Sequence, residues 1–488
     1  MTGWHHSFGR SLRRLTILII LCSFSAVFST SVVIASPWYP AHGFFSDPWN
    51  TQSKIPPLGA YSTDRHGLAH LRPPVQPSLS KLEQLRSLPA LTRWALQHNP
   101  QTATAWAALQ ARAAALGLAK SLWLPTLSGH MGVQRSDTTY GRGFGAPPLT
   151  GLYSTLSLSE VLFNFGYRSA SVHKAQIAMM VARYDADATI QQVVLAIAEA
   201  YYSLAEARQE VMIYRQGVRE ANLIYQAARL QYRAHLKPIT DVYQAQTALA
   251  LARGNLSAAR GIEHASRGAL AEAAGLPVTV PLTIFSLPQP PGMLPSSIKH
   301  WLHQSLAHNP TILAELARMR EARQSIAQAE AQGLPSVSLV GNLGDNQLQY
   351  APNGRSFSAG IQINVPLDSN FSSTYQVQQD RALYRETRAQ AQQAANNTLL
   401  KVWQAYYQWH GAKRSYAAAA EQVASAQKAL AGIRTEYRIG LANILDLITA
   451  EGNLIQSRIT KVQTLTQYYQ YQAILFRGAG MVPDTAKK

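Results

Sequence analysis

The chain repeats one long pattern. The segments YRAHLKPITDVYQAQ at 232–246 and YRIGLANILDLITAE at 437–451 share a tyrosine, an arginine, a leucine and an aspartate at matching positions. The tripeptide HNP at 98–100 recurs at 308–310. These copies lie too far apart for a solenoid, whose repeats span roughly 20–45 residues. The sequence therefore predicts a protein built from two similar halves.

The N-terminus indicates secretion. Arginines precede a long apolar stretch that ends in small residues, which is typical of a signal peptide, here residues 1–35. An uncleaved membrane anchor is the alternative. The only cysteine, Cys22, lies inside this segment, so we expect no disulfide in the mature chain. Residues 36–80 are rich in proline and are expected to form an irregular leader.

Both halves have the same order of predicted elements. Each starts with a helix at Asn-Pro, where Asn99 or Asn309 can cap the helix and the proline occupies its first position. Two strands follow, and then a long helical stretch. We expect the first half at 81–280, a linker at 281–295, the second half at 296–483 and a tail at 484–488.

Apolar and polar residues alternate with period two in the predicted strands. In the segment 152–159 the apolar face has Leu152, Leu156 and Leu158, and the other face has tyrosine, threonine and serines. The segments 126–133, 336–343 and 357–365 alternate in the same way. This pattern suits the wall of a membrane β-barrel. It also suits a half-buried soluble sheet.

The helical stretches are unusually long. No proline occurs between Tyr167 and Lys237, and about 70 helical residues would extend on the order of 100 Å. A 4-3 spacing of mainly apolar residues, from Ile177 to Ala205, predicts coiled-coil packing. The stretch from Phe371 to Ile439 is likewise free of proline. We expect each long helix to end near Pro238 or Gly440 and a second helix to fold back.

Four strands cannot close a barrel, and lipid does not tolerate an open sheet edge. A barrel would therefore be shared between copies of the chain. Two copies would give eight strands, whose side chains nearly fill the interior, whereas three would give twelve and leave a lumen. A conduit requires at least three copies.

The two halves, their strand pairs and long helices, and the segment YRIGLANILDLITAE resemble the TolC family of bacterial outer-membrane efflux proteins. The resemblance covers about 81–483. It implies an α+β membrane protein, a homotrimer whose 12-stranded barrel in the outer-membrane bilayer continues as an α-helical coiled-coil barrel across the periplasm. Such a protein is the exit duct of a tripartite efflux pump or a type I secretion system. Its partners would be a periplasmic adaptor (membrane fusion) protein and an inner-membrane transporter.

The resemblance also implies roles for the two turns between long helices. Asp446 and Thr449 would form the periplasmic gate, with Asp241 as the counterpart of Asp446 in the other half. The turns would dock the adaptor through a set of residues from both halves: Tyr232, His235, Leu236, Lys237, Tyr437, Gly440, Leu441 and Ala442. The chain departs from the family pattern at His235, where glycine is usual, at Pro238, and at Ala442 and Thr449, where some members have arginine and an acidic residue.

Two roles for Asp446 follow. A carboxylate in the first turn of a helix complements the helix dipole by about 0.3–1 kcal/mol, and Asn443 could cap the same helix. Asp241 fits the same capping role in the first half. Alternatively, three-fold symmetry would collect three Asp446 carboxylates at the narrowest point and make the mouth cation-selective.

Other classes of function find little support in the residues. We find no ligand spacing for a metal, no phosphate-binding loop and no nucleophile elbow, so we expect neither catalysis nor a cofactor. The net charge of +18 comes from scattered arginines, which does not indicate nucleic-acid binding. A periplasmic coiled-coil adaptor is the main alternative, but it would not need four alternating strands.

Overall fold

A computed structural model describes residues 84–136, 139–140, 144–145, 149–285, 287, 297–348, 352–367 and 371–481. The expected signal peptide, the proline-rich leader and the tail at 484–488 lie outside the described residues. Within the described part, no helix is both long and apolar enough to cross a membrane.

The two halves contain matching elements, apart from two strands of two residues each that the described residues show in the first half alone. The first half consists of α1 Leu88–His98, α2 Pro100–Ser121, β1 Thr126–Ser136, β2 Thr139–Tyr140, β3 Phe144–Gly145, β4 Leu149–Phe163, α3 Tyr167–Arg233 and α4 Ile239–Ala273. The second consists of α5 Ile298–His308, α6 Pro310–Gln332, β5 Ser336–Leu348, β6 Gly354–Asn364, α7 Ser372–Arg438 and α8 Ile444–Gly478. Helices α3 and α7 have 67 residues each, and α4 and α8 have 35 each. The predicted duplication is confirmed.

Strands from both halves form one antiparallel sheet with the order β1-β4-β5-β6. The register places Leu127 opposite Leu158 and Leu343 opposite Leu156 and Phe357, so large apolar side chains of all four strands share one face. The other face has serines, threonine and asparagine, such as Ser157 opposite Asn342. The predicted alternation is confirmed. Strands β1 and β6 are the sheet edges, which in lipid must pair with another strand.

The Asn-Pro junctions cap two helices at once. Asn99 Oδ1 accepts a bond from the backbone N–H two residues later at 2.8 Å, and its Nδ2 donates to the carbonyl of Ala273 at 2.9 Å. Asn309 repeats both bonds, at 3.0 Å to the N–H two residues later and at 2.9 Å to the carbonyl of Gly478. Each asparagine therefore gives a hydrogen-bond partner to a backbone N–H at the start of one helix and to a backbone carbonyl at the end of the returning long helix.

A large core lies near the middle of α3 and α7. The first-half cluster packs α1 and α4 on α3 through Leu91, Val193, Ile197, Leu204, Leu270 and Leu276. The second-half cluster packs α5 and α8 on α7 through Trp301, Val402, Trp409, Tyr468 and Leu475. Leu282 and Ile284, from the expected linker, are buried in the first cluster. Tyr202 and Leu287 contact both clusters and so join the two halves.

Candidate functional site

The candidate site is the pair of turns that end α3 and α7. Each of these helices is the next element of the chain after a strand of the sheet, and 67 helical residues extend about 100 Å. The first turn, at 234–238, and the second turn, at 439–443, therefore lie far from the sheet. They lie close to each other, because a cluster at this end combines Ala228, Ala245, Tyr437 and Ile444 from all four long helices.

The first turn reverses at His235, which has a left-handed backbone with φ of 60°. The N–H of Leu236 donates to the carbonyl of Gln231 at 2.9 Å, so this carbonyl in the last turn of α3 has a hydrogen-bond partner. The sequence indicated that Pro238 would end this helix. Instead, α3 ends at Arg233, and Pro238 is the N-cap residue of α4. Its fixed φ suits that position, whereas its ring cannot accept or donate a capping hydrogen bond.

The second turn is built differently. Gly440 has φ of 85°, and the N–H of Leu441 donates to the carbonyl of Glu436 at 2.9 Å. Asn443 Oδ1 accepts from the N–H of Asp446 at 2.9 Å, and Asp446 Oδ2 accepts from the N–H of Asn443 at 3.0 Å. These two bonds form a capping box at the start of α8. The expected capping roles of Asn443 and Asp446 are confirmed.

Asp241 does not share this capping geometry. It lies in the first turn of α4, where its carboxylate complements the helix dipole, but its N–H bonds to the carbonyl of Pro238 at 3.2 Å. Proline has no side-chain acceptor and no N–H, so a reciprocal pair of bonds cannot form. The expected position of Asp241 in the first turn of its helix is confirmed, whereas the pair of reciprocal cap bonds occurs at Asp446 and not at Asp241.

The two turns are joined by Tyr437. Its hydroxyl donates to Gln231 Oε1 at 2.9 Å, and Lys237 Nζ lies 5.8 Å from the centre of its ring. Burial, and to a smaller extent the negative charge of Asp241, raise the pKa of the Tyr437 phenol. Tyr232, its counterpart in sequence, is 40% exposed, whereas Tyr437 is buried. Sequence reasoning missed Gln231, because no local pattern marks a side chain that bonds across the two halves.

The remaining predicted site residues divide by exposure. Leu236 and Leu441 are 72% and 78% exposed, so both turns present an apolar side chain to the outside. Ala442 is buried in the cluster between the turns, which removes it from the outer surface of the protomer. Asp446 and Thr449 are both exposed, and their spacing of three residues places them on one face of α8.

Further from the turns, polar side chains connect α8 to α3. Gln463 donates to Glu210 at 3.0 Å, and Gln470 donates to Ser203 at 3.3 Å. At the middle of the helices, Tyr202 of α3 stacks on a tyrosine of α8 with ring centroids 5.2 Å apart. Burial raises the pKa of the Glu206 carboxyl in the same interface. We call this line of contacts the α3–α8 seam.

The described residues contain no cluster of three or more side chains suited to a metal ion. The two turns present hydrogen-bonding side chains, exposed carboxylates and exposed apolar side chains. Such groups can bind another protein or influence the passage of ions.

Comparisons with known proteins agree with one another. The family model for outer membrane efflux proteins matches residues 91–276 and 301–480. Protein CyaE of Bordetella pertussis is 27% identical over 412 residues, which cover 83% of this chain and 86% of that protein. Outer membrane efflux protein BepC of Brucella suis is 24% identical over 360 residues, 71% of this chain and 75% of that protein. The solved Campylobacter jejuni CmeC outer membrane channel superposes with a TM-score of 0.74 at 16% identity, covering 88% of this chain and 92% of that one.

Proposed function

Because the chain belongs to the outer membrane efflux protein family, we propose that its two helical turns form the gated periplasmic mouth of an export channel. The protein is a channel of the outer membrane that extends into the periplasm and acts as the exit duct of an efflux or secretion system. Its fold is the protomer fold of the trimeric channels of this family. Three copies of the four-stranded sheet would close one barrel and pair every sheet edge.

The observation that best supports the proposed gate is the exposure of Asp446 and Thr449. Both lie on one face of α8 at its start, at the end of the long helices that is furthest from the sheet. Three-fold symmetry would bring three copies of this face to the channel axis. Each Asp446 keeps one carboxylate oxygen bonded to Asn443, which fixes its position while its charge remains available to a passing cation.

Separate replacement of the two aspartates by asparagine tests the gate. In single-channel recordings of the trimer, Asp446→Asn should reduce the preference for cations over anions, because three negative charges leave the constriction. Asp241→Asn is the matched control and should leave this preference unchanged. If the two substitutions have equal effects, or if neither has any, Asp446 acts only as a helix cap.

The second part of the proposal is that the turns dock a periplasmic adaptor protein, which links the channel to an inner-membrane transporter. Support comes from Leu236 and Leu441, which are large, apolar and more than two thirds exposed. Exposed apolar side chains at the end of a rigid element suit the apolar core of a protein interface. The left-handed Gly440 holds Leu441 in this outward position.

Substitutions at the second turn test the docking. Leu441→Glu should abolish export in cells that depend on this channel, while the trimer still assembles, because the side chain contacts no core. Gly440→Pro should have the same effect, since proline cannot adopt φ of 85°. Full export by both variants would contradict adaptor binding at this turn.

A further inference from the structure

Two arginines lie on the apolar face of the sheet, one in each edge strand. Arg135 of β1 shares this face with Met131 and Val133. Arg355 of β6 shares it with Phe357, because residues two positions apart in a strand point to the same side. Both arginines are exposed. A charge on a lipid-facing surface is costly near the middle of a bilayer and tolerated near its edges, so the position of each arginine along its strand decides what it contacts.

Both arginines lie at the end of the apolar face that is furthest from the helices. Strand β1 starts at Thr126 after α2, and β6 ends at Asn364 before α7; counted from these ends, Arg135 and Arg355 are each the tenth residue of their strand. This distance is about 30 Å along a strand, or roughly 22–25 Å across a bilayer at a tilt of 35–45°. The apolar band of a membrane barrel is about 25 Å tall. Because the helices extend into the periplasm, the two arginines lie at the level of the outer-leaflet headgroups.

Closure of the barrel would bring the two arginines together at the boundary between copies. Strands β1 and β6 have 11 residues each, so full pairing of β1 with β6 of the next copy places Arg135 opposite Arg355 and keeps the apolar faces on one side. Inside the sheet, the pairings lead from Arg355 to Asp345, then to Ser154 and then to Met131. Met131 precedes Arg135 by four residues. A shift of four residues over four strand spacings gives a strand tilt of about 35°, which agrees with the tilt of membrane barrels.

The charges at this boundary do not balance within the described part of the chain. Arg355 Nε lies 3.4 Å from Asp345 Oδ1, but the two side chains are 90% and 39% exposed, so solvent screens this pair. Asp345 Oδ2 also accepts a bond from Gln347 at 3.4 Å. The side chain of Arg135 has no ion pair with another described residue. Like charges directly opposite each other in adjacent strands are destabilising, and an anion between the two arginines would remove this repulsion.

We propose that Arg135 of one copy and Arg355 of the next form a binding site for the phosphate of an outer-leaflet lipid headgroup, once at each subunit boundary of the trimer. The outer leaflet of a bacterial outer membrane consists largely of lipopolysaccharide, whose lipid A part has a phosphorylated glucosamine headgroup. Guanidinium groups bind phosphate through two parallel N–H bonds. The acyl chains would lie against Val133 and Phe357, which are 74% and 78% exposed in one protomer. The proposal does not depend on the gate or on adaptor docking.

The test is lipid binding to the full-length trimer in neutral detergent, measured by native mass spectrometry. Lipid A should bind with its phosphates, whereas dephosphorylated lipid A, which keeps the acyl chains, should bind much more weakly. Arg135→Gln and Arg355→Gln should each weaken the binding of lipid A by about 10- to 100-fold, the effect of one lost hydrogen bond to a charged group. Arg388→Gln, which changes an exposed arginine of α7 outside the sheet, is the matched control and should bind as wild type.

Two further measurements separate the phosphate site from a general attraction to anions. Arg355→Lys keeps the charge without the planar fork and should bind lipid A more tightly than Arg355→Gln but less tightly than wild type. Inorganic phosphate at the concentration of the lipid should not displace lipid A. If it does, the site binds free phosphate and the lipid is the wrong ligand. Equal binding of lipid A and its dephosphorylated form, or binding to both glutamine variants as tight as to wild type, would overturn the proposal.

The wild-type trimer provides a test that needs no variant. Lipid A should raise the temperature at which the trimer dissociates in detergent, because its phosphates neutralise opposed arginines at each subunit boundary. The dephosphorylated lipid should give a smaller increase. An equal increase with both lipids would show that the acyl chains alone stabilise the boundary and would contradict the site.

Discussion

Replacement of Gly480 by alanine should destabilise the protein far more than the same change at Gly275. Both glycines follow a returning long helix and have a left-handed backbone, with φ of 74° and 70°. Both lie against the Asn-Pro junction of their own half. At Gly275 an added Cβ would lie 3.1 Å from Asn99 Cα and 3.2 Å from the carbonyl oxygen of His98. At Gly480 it would meet the backbone of His308 in a direct clash and lie 2.8 Å from the backbone nitrogen of Asn309.

Two contributions to the change in unfolding free energy are the same at both sites. A left-handed alanine costs about 1–2 kcal/mol at either site, and the gain from a less flexible unfolded chain is the same for both. These contributions cancel in the comparison. What remains is the clash with backbone that cannot rotate away, and overpacking of this kind costs about 1–3 kcal/mol. Gly480→Ala should therefore be less stable than Gly275→Ala by about 1–3 kcal/mol.

The assay is denaturant unfolding of the detergent-solubilised protein, followed by the helical circular dichroism signal. Asparagine variants at both sites separate backbone strain from the clash, because asparagine tolerates a left-handed backbone but still has a Cβ. Gly275→Asn should be more stable than Gly275→Ala and keep only the cost of the tight contacts at 3.1–3.3 Å, whereas Gly480→Asn should remain destabilised by the clash. Equal midpoints for the two alanine variants, or a lower midpoint for Gly275→Ala, would refute the argument from the close approach at Gly480.

Three further outcomes are expected. Met131→Arg places a charge on the apolar sheet face and should cost about 2–4 kcal/mol of stability in lipid, whereas His130→Arg on the opposite face should be tolerated. Refolding into lipid vesicles measures the stability of both variants. Asn443→Ala removes the capping box and should cost about 0.5–2 kcal/mol, seen as faster hydrogen exchange confined to the first turn of α8; unchanged exchange would contradict the cap. Arg318→Ala breaks two ion pairs, with Asp185 and with Glu315, and the arginine side chain is 37% exposed in both. The loss of stability should therefore be at most about 2 kcal/mol by denaturant unfolding, and a larger loss would show that solvent screens these pairs less than their exposure indicates.

The parts of the fold that depend on local sequence could be predicted. The duplication, the strand faces and the long helices all follow from patterns that repeat along the chain, and Asn99 and Asn309 are recognisable as caps by residue type alone. The second bond of each asparagine, to the end of a helix more than 150 residues away, could not be predicted, because nothing near Asn99 indicates that Ala273 returns to it.

The site was predicted less completely than the fold. Sequence similarity between the two turns indicated equivalent roles, and the structure shows that they differ: Tyr437 is buried and Tyr232 is exposed. The cause is the environment that the other half provides, since Gln231 bonds to Tyr437 across the two halves. Arg434 of α7 donates to Glu220 of α3 at 2.8 Å and to Glu451 of α8 at 3.2 Å, and these contacts were missed for the same reason. In the sequence, each of the three looks like an ordinary charged residue of a helix surface.

The equal lengths of α3 and α7 restrict how this protein can change in size. Both helices start beside the sheet and end in turns that pack together, so a seven-residue insertion in one would shift its turn by about two helical turns relative to the other. The contacts of Tyr437 and Arg434 would then lose their partners together. Natural or engineered variants that reach further across the periplasm should therefore carry matched insertions in all four long helices. Length in this chain is a shared property of both halves, and neither half can be lengthened alone.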